Sequence, residues 1–493
     1  MVGIANLLSN AGHDVTIIQS PMNPELDDSN VRGPKIEKPL KRNSKMDGTL
    51  ESLKNVRNKS FTLSGVNPFD ILNTFYDVSV ALTESCENTM MDEKITKRMK
   101  DEKFDLGISE SFAPCGLGVL KHYNITNTVS VFSGCSFDSH YEILGLSVPV
   151  AQSPTSVAPL PSKMNIFERI LNLLSYIVLK KSYSDSINIG NSMFKRFYKE
   201  GEIDLHNLFK ESAFYIDNCD PLLSFGSPST PKFLHLGGFL SRESKPLSSE
   251  YDEVLSRRKR NVLISFGSIT ESSKMTDNMK KNLARLFKEY PDVTFLWKYD
   301  KDRPEILKGI GNVFLSKWMP QLDLLADPRM SLFITHGGMN SFLEASKYGV
   351  PLIDIPLFGD QPKNAKIVEE LKLGRIVDKF VLQDNYEEFN IIFDDVFNNV
   401  IYRETAKKMS HMISQRPYDP KEIFIKTIEF AAKFGRVDHY TIPGADIPYW
   451  KFFYLDAILI FIGILLVKFI IIKTVLRKVK DFIFGKKKSQ KID

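Results

Sequence analysis

Cysteine and tryptophan are scarce in this chain: four Cys and three Trp stand among 493 residues. The cysteines (Cys86, Cys115, Cys135, Cys219) are scattered and form neither a CxxC nor a metal-ligand spacing. That argues against a zinc centre and predicts no disulfide framework. Charge of one sign is scarce as well. The chain carries 65 Lys and Arg against 60 Asp and Glu, a net charge of +5. Residues 473–493 hold eight of the basic residues and two of the acidic ones, which is +6, so the remainder is about −1. A near-neutral body argues against nucleic acid as a partner, and a basic tail behind an apolar run marks a membrane flank. No apolar leader opens the sequence, and residues 1–11 already read as a helix with Ile4, Leu7, Leu8 and Ala11 at helical spacing. The long apolar run comes late. Phe452–Ile472 has about twenty-one residues, the length of a membrane-spanning helix. Asp456 and Lys468 lie toward its ends, where their polar atoms can reach the interface. The Lys-rich flank behind it predicts a cytosolic tail and a body on the opposite side.

What the chain does have is one dense stretch, Trp318–Gln361. Ser331–Thr335 is a short apolar run, the pattern of a buried parallel strand. His336-Gly337-Gly338 follows at its carboxyl end. Asn340 and Ser341 read as an N-cap opening a helix that stops at Gly349, and Val350–Ile355 is the next strand. Glycines let a backbone approach phosphate closely, and a helix N-terminus offers free N–H groups and the positive end of a dipole. His336, Asn340 and Ser341 can each donate to an anionic oxygen. Glu344 stands one helical turn after Asn340, where a carboxylate can accept both hydroxyls of a ribose. Trp318 offers a stacking face and Gln321 an amide that can pair with a base edge. Asp360 and Gln361 follow the second strand, within reach of sugar hydroxyls. Singly, each feature fits an ordinary βα connection or a core residue; the joint spacing does not.

That spacing carries a resemblance. W-x-P-Q, F-x-T-H-G-G-M-N-S-x-x-E-A-x-x-x-G-V-P and D-Q-x-x-N-A resemble the signature of the animal UDP-glycosyltransferases, the membrane-bound UDP-glucuronosyltransferase family. The resemblance implies an α/β fold of two facing Rossmann-like domains (GT-B type) plus one C-terminal transmembrane helix. On that pattern residues 1–240 bind the acceptor, 241–435 bind the UDP-sugar, 452–472 span the membrane and 473–493 form a basic cytosolic tail. Trp318 and Gln321 would hold the uracil and Glu344 the ribose. His336, Gly338, Asn340 and Ser341 would hold the diphosphate, with Ser268 of the matching F-G-S at 266–268, and Asp360 and Gln361 the sugar. The implied reaction is inverting transfer from a UDP-sugar, glucuronic acid ahead of glucose, to a small lipophilic acceptor. It needs no cofactor and no metal, because helix N–H groups and His336 take the place of a divalent ion. The implied location is the endoplasmic reticulum membrane, single-pass, with a lumenal body in contact with membrane lipid. The assembly state, a homo-oligomer included, is left open.

The first half is less complete against that pattern. A strand over Val15–Ile18 follows the opening helix, so the chain starts inside a Rossmann unit. The family's first strand and its catalytic Ser-His pair are expected a few residues before Met1. His13, in the helix-to-strand turn, is structural. Glu110, at the end of a strand over Phe104–Ile108, stands where the family commonly has the Asp that orients the catalytic His. An alternative follows from the same residues: a membrane-anchored pseudoenzyme that binds UDP-sugar without the base. Asn58-Lys59-Ser60 and Asn124-Ile125-Thr126 are glycosylation sequons that matter if this half is lumenal. Residues 167–180 read as a strongly apolar helix, which the family places near the acceptor pocket and the membrane surface.

Overall fold

The computed structural model describes residues 1–19, 31–38, 54, 58–62, 68–112, 114–445 and 447–485, in two units, Met1–Thr441 and Ile442–Asp493. Most of the irregular loop expected over 22–60 and the last residues of the basic tail, 486–493, lie outside the described residues.

The first unit is built on parallel strands: β1 Thr16–Ile18, β2 Lys35–Glu37, β3 Gly107–Glu110, β4 Thr128–Phe132, β5 Phe214–Asp217, β6 Phe233–His235, β7 Arg260–Ser265, β8 Val293–Lys298, β9 Val313–Ser316, β10 Met330–Thr335, β11 Leu352–Asp354 and β12 Gly374–Ile376. β1 pairs with β2, a four-stranded sheet runs β3-β4-β5-β6, and a six-stranded sheet runs β12-β11-β10-β7-β8-β9. Strands β4, β5, β7, β8 and β10 are mostly apolar and buried, the pattern of strands covered on both faces. In the larger sheet successive residues point to opposite sides. Ile264, Phe295 and Ile334 meet Phe389 and Phe393 on one face. Leu263, Leu296 and Phe333 meet Phe342 and Val368 on the other. The strand order reverses between β7 and β10, and a crevice at the carboxyl ends of two such strands is where α/β sheets bind ligands.

Two segments tie the halves together. Phe61, far upstream, is fully buried in the larger half, edge-on to Phe266 at 5.5 Å, and Lys379 Nζ donates to the Ser60 carbonyl at 2.9 Å. Helix Pro420–Phe434 packs back on the smaller sheet, placing Phe424, Ile428 and Ala431 among Val129, Val131 and Phe214.

Several expectations change. All four cysteines pair, Cys86 with Cys115 and Cys135 with Cys219, which overturns the absence of disulfides read from spacing. The second pair lies 84 residues apart in sequence but follows the adjacent strands β4 and β5, so only strand pairing brings it together. The apolar stretch 222–225, whose sequence reads as a strand, opens instead with a 3-10 turn, Pro221–Leu223, because the Asp220 carboxylate accepts the Leu222 N–H at 3.0 Å. The helix expected over 68–100 divides at Asp92, which caps Ile95 N–H at 3.0 Å, into Pro68–Met90 and Glu93–Asp101. The apolar helix expected over 167–180 runs from Ile166 to Phe194.

In the second unit, Leu455–Phe484 is a helical stretch of 30 residues, long and apolar enough to cross a membrane. It exceeds the expected 452–472 because Lys473, Arg477 and Lys478 continue the same helix, and it begins later because Tyr454 takes a positive φ of 55°.

Candidate active site

β10 lies between β7 and β11, and its residues Leu332–Thr335 are buried. The chain then turns through Gly337 at φ 79°, a conformation glycine adopts without strain. Gly338, extended, is the N-cap of helix Met339–Tyr348, and its carbonyl accepts from Phe342 N–H at 3.0 Å. The cap therefore precedes Asn340 and Ser341, which sit within the first turn instead of capping it. Among the described residues no side chain caps this helix, which leaves its first N–H groups available to an anion.

His336 is wedged between two glycines. A Cβ added at Gly267 would come within 2.9 Å of its ring, and one at Gly338 within 2.5 Å. The loops after β7 and β10 thus meet across the switch point on one imidazole. Burial, helped by the nearby Lys298 charge, lowers the His336 pKa to about 4. The ring is neutral at pH 7 and can donate one N–H without adding a charge.

Along the helix, Gln321 Nε2 donates to Ser341 Oγ at 3.2 Å and to Glu344 Oε2 at 2.7 Å. Burial raises the Glu344 pKa, and the Gln321 hydrogen bond and the Arg242 charge pull it back. Trp318 is 71% exposed, its ring under the Lys298 ammonium at 5.0 Å. Lys298 also donates to the Gly267 carbonyl at 2.7 Å, which ties the indole to the first glycine turn. Ser268, next in that turn, is exposed.

Gln361 opens helix Gln361–Glu370. Its Oε1 accepts from Leu357 N–H at 2.8 Å and Phe358 N–H at 3.1 Å, leaving the amide N–H2 for a ligand. Asn364 donates to Asp360 Oδ2 at 2.8 Å and to the Gly337 carbonyl at 3.0 Å, so Asp360 is braced to the same turn. The smaller half approaches here: a Cβ on Gly134 would lie 3.5 Å from Asp360 Oδ2.

Glu110 lies at the end of β3, in the smaller half. Its Oε2 accepts from Phe112 N–H at 3.1 Å, and its Oε1 has no partner among the described residues. Burial raises its pKa to about 7, against the pull of backbone N–H groups. Among the described residues no histidine hydrogen-bonds to it; the fully buried His140 bonds Tyr215 at 2.7 Å instead. Asp217, Cys219 and His235 bring ligand-type atoms within 4.8 Å of one another, but Cys219 is spent in its disulfide.

Three residues were missed in sequence. Lys298 closes strand β8 at the sheet's carboxyl edge, a position that could have flagged it. Asp354 interrupts the apolar run of β11, and that interruption was its signal. It is fully buried, neither carboxylate oxygen has a hydrogen bond among the described residues, and burial pushes its pKa to about 8. Asn218, after β5, reaches Asn340 from the other half, and nothing in sequence announced it.

A family profile described as UDP-glucoronosyl and UDP-glucosyl transferase matches residues 1–490. The Caenorhabditis elegans protein ugt-47 is 28% identical over 468 residues, 92% of this chain and 85% of that one. UDP-glucuronosyltransferase 1A8 of Rattus norvegicus is 27% identical over 400 residues, 80% of this chain and 73% of its own. Among solved structures, the glycotransferase of kitacinnamycin superposes with a TM-score of 0.56 at 14% identity, covering 90% of this chain and 95% of that one. Phytolacca americana UGT2, complexed with UDP-2fluoro-glucose and pterostilbene, gives 0.55 at 16% identity, covering 88% and 95%. The two Rossmann-like sheets are the GT-B fold of these glycosyltransferases. With the profile spanning nearly every residue and the relatives aligned along most of their length, this chain belongs to the UDP-glucoronosyl and UDP-glucosyl transferase family.

Proposed function

We propose that the chain transfers a hexose, glucuronic acid ahead of glucose, from a UDP-sugar to a small lipophilic acceptor with inversion at the anomeric carbon. The observation that carries this reading is the Gln321–Ser341–Glu344 cluster beside an uncapped helix N-terminus at the switch point. In it Trp318 stacks on the uracil, Gln321 meets the base edge, and Glu344 accepts the ribose hydroxyls. The Gly338–Ser341 N–H groups and the neutral His336 and Ser268 donors stabilise the charge that gathers on the leaving UDP. No divalent metal has a step to perform. Asp360 and the Gln361 amide hold the sugar, and closure of the two halves supplies proximity. On the acceptor side Glu110 is the carboxylate that would hold a basic imidazole. We place the protein in the endoplasmic reticulum membrane through the 455–484 helix, with the body lumenal.

The test is UDP release by the full-length chain in membranes, supplied with UDP-glucuronate or UDP-glucose and a series of phenols. Turnover is expected with at least one pair and is lost in Glu344→Ala. Failure of the chain to bind UDP would sink the reading. A second reading, a membrane-anchored UDP-sugar-binding pseudoenzyme, is favoured by the unpartnered Glu110 oxygen. It expects UDP binding without turnover for every acceptor.

A further inference from the structure

Asn218 belongs to the smaller half but touches the phosphate turn of the larger one. Its orientation is set by groups whose polarity is beyond choice. Asn218 Oδ1 accepts from the Gly238 backbone N–H at 2.9 Å, and its Nδ2 donates to the Ser133 carbonyl at 3.2 Å. An N–H can only donate and a carbonyl can only accept, so this amide cannot be flipped. Its remaining N–H therefore points at Asn340, and the atom it finds there, 3.0 Å away, is Oδ1. Asn340 is thereby held with its oxygen toward Asn218, and its two N–H donors have no partner among the described residues. The brace is itself rigid. Asn218 N–H bonds the Phe132 carbonyl at 3.0 Å, Cys219 is locked to Cys135, and the preceding Asp217 carboxylate accepts from Ser136 Oγ at 2.6 Å and from the His235 ring at 2.8 Å. Asn340, by contrast, is an exposed residue in the first turn of its helix, where its amide could otherwise rotate freely.

We propose that Asn218 is a positioning residue for the donor: it turns the Asn340 carboxamide so that N–H groups, not the carbonyl oxygen, face the diphosphate. This rests on the reading of Asn340 as a diphosphate contact given above. It also makes donor affinity depend on the two halves being together, since the smaller half supplies the brace. A carboxamide presented the wrong way would place an oxygen dipole against an anion, so the brace acts on phosphate binding and not on the nucleoside.

A double-mutant cycle on the full-length protein in detergent tests it, with UDP and uridine as probes. Asn218→Ala is expected to weaken UDP about tenfold, the scale of a hydrogen bond to a charged group, and to change uridine affinity by less than about twofold. Asn340→Ala should match it, and the double variant should be no worse than Asn340→Ala alone. Equal loss for UDP and uridine in Asn218→Ala would mean a merely structural role, and additive losses in the double variant would mean no coupling; either overturns the proposal. Wild-type protein that binds UDP no better than uridine would instead bring down the diphosphate assignment of Asn340 itself.

Discussion

Trp318 and Asp354 are two residues whose sequence context suggested burial, and they behave oppositely. An indole between Lys317 and Met-Pro reads as readily as core as it does as a platform, yet it is 71% exposed. Its removal should therefore leave stability almost untouched, within about 0.5 kcal/mol, while UDP binding weakens about tenfold, the lower range of base–aromatic stacking. Thermal melting and titration of Trp318→Ala with UDP check both halves; a large drop in melting temperature would show that the ring is structural. Asp354 is the reverse, a carboxyl in an apolar strand with no hydrogen bond among the described residues. Its folded pKa of about 8 lies well above the ordinary carboxylate range, so the folded state holds a proton that the unfolded chain releases. Stability is then progressively lost as pH rises from about 4 to about 8, by at most ~1.4 kcal/mol per pH unit, and levels off above. Asp354→Asn should abolish that slope. Parallel stability–pH profiles of the two proteins would show it, and identical slopes would refute it.

At the scale of elements, the strand–turn–helix unit around His336 depends on what glycine leaves out. A methyl group on Gly338 would stand 2.5 Å from His336 Nε2 and 2.8 Å from Cε1. The ring must move, and it is confined on its other side by Gly267. Gly338→Ala is expected to cost about 1–3 kcal/mol in stability, as overpacking does, and to lower UDP affinity at least tenfold by tilting the first helical turn. Unchanged UDP binding in a folded Gly338→Ala protein would show that the turn does not contact phosphate. The limits of sequence reading also show here. Strands β10 and β11 were legible to within a residue or two because buried parallel strands are largely apolar runs. The cap at Gly338 was not, because Asn340 and Ser341 have better capping side chains and only the positive φ of Gly337 moves the helix start forward.

For the whole molecule, two apolar surfaces bear on membrane association, one in each unit. The 455–484 helix is apolar and unburied within its unit over 30 residues, roughly 45 Å at 1.5 Å per residue, more than the ~30 Å hydrocarbon core. In the body, Phe167, Ile170, Leu171 and Leu174 are all exposed near the start of helix Ile166–Phe194. Patches of this kind mark interaction surfaces. The full chain should resist extraction from membranes by alkaline carbonate. A chain ended after Thr441 should remain with membranes at neutral pH and be released by carbonate. Fractionation with immunodetection checks both, and a truncated chain that stays in the supernatant at neutral pH would rule out the body patch as a membrane contact.

The primary structure by itself determined the period and length of most elements, the donor motif from Trp318 to Gln361 and the late apolar helix. Each is local: strand runs, glycine turns, helix faces and span length are written within a few tens of residues. Tertiary structure alone decided what depends on distant segments meeting. It paired Cys135 with Cys219 through adjacent strands and buried Phe61 against Phe266. It brought helix Pro420–Phe434 back to the smaller sheet and left Asp354 without a partner among the described residues. It also set Asn218 against Asn340, 122 residues away, a contact that exists only because two sheets close on one cleft. No spacing rule reaches that far, because pairing across a cleft is fixed by the geometry of closure and not by the chain between.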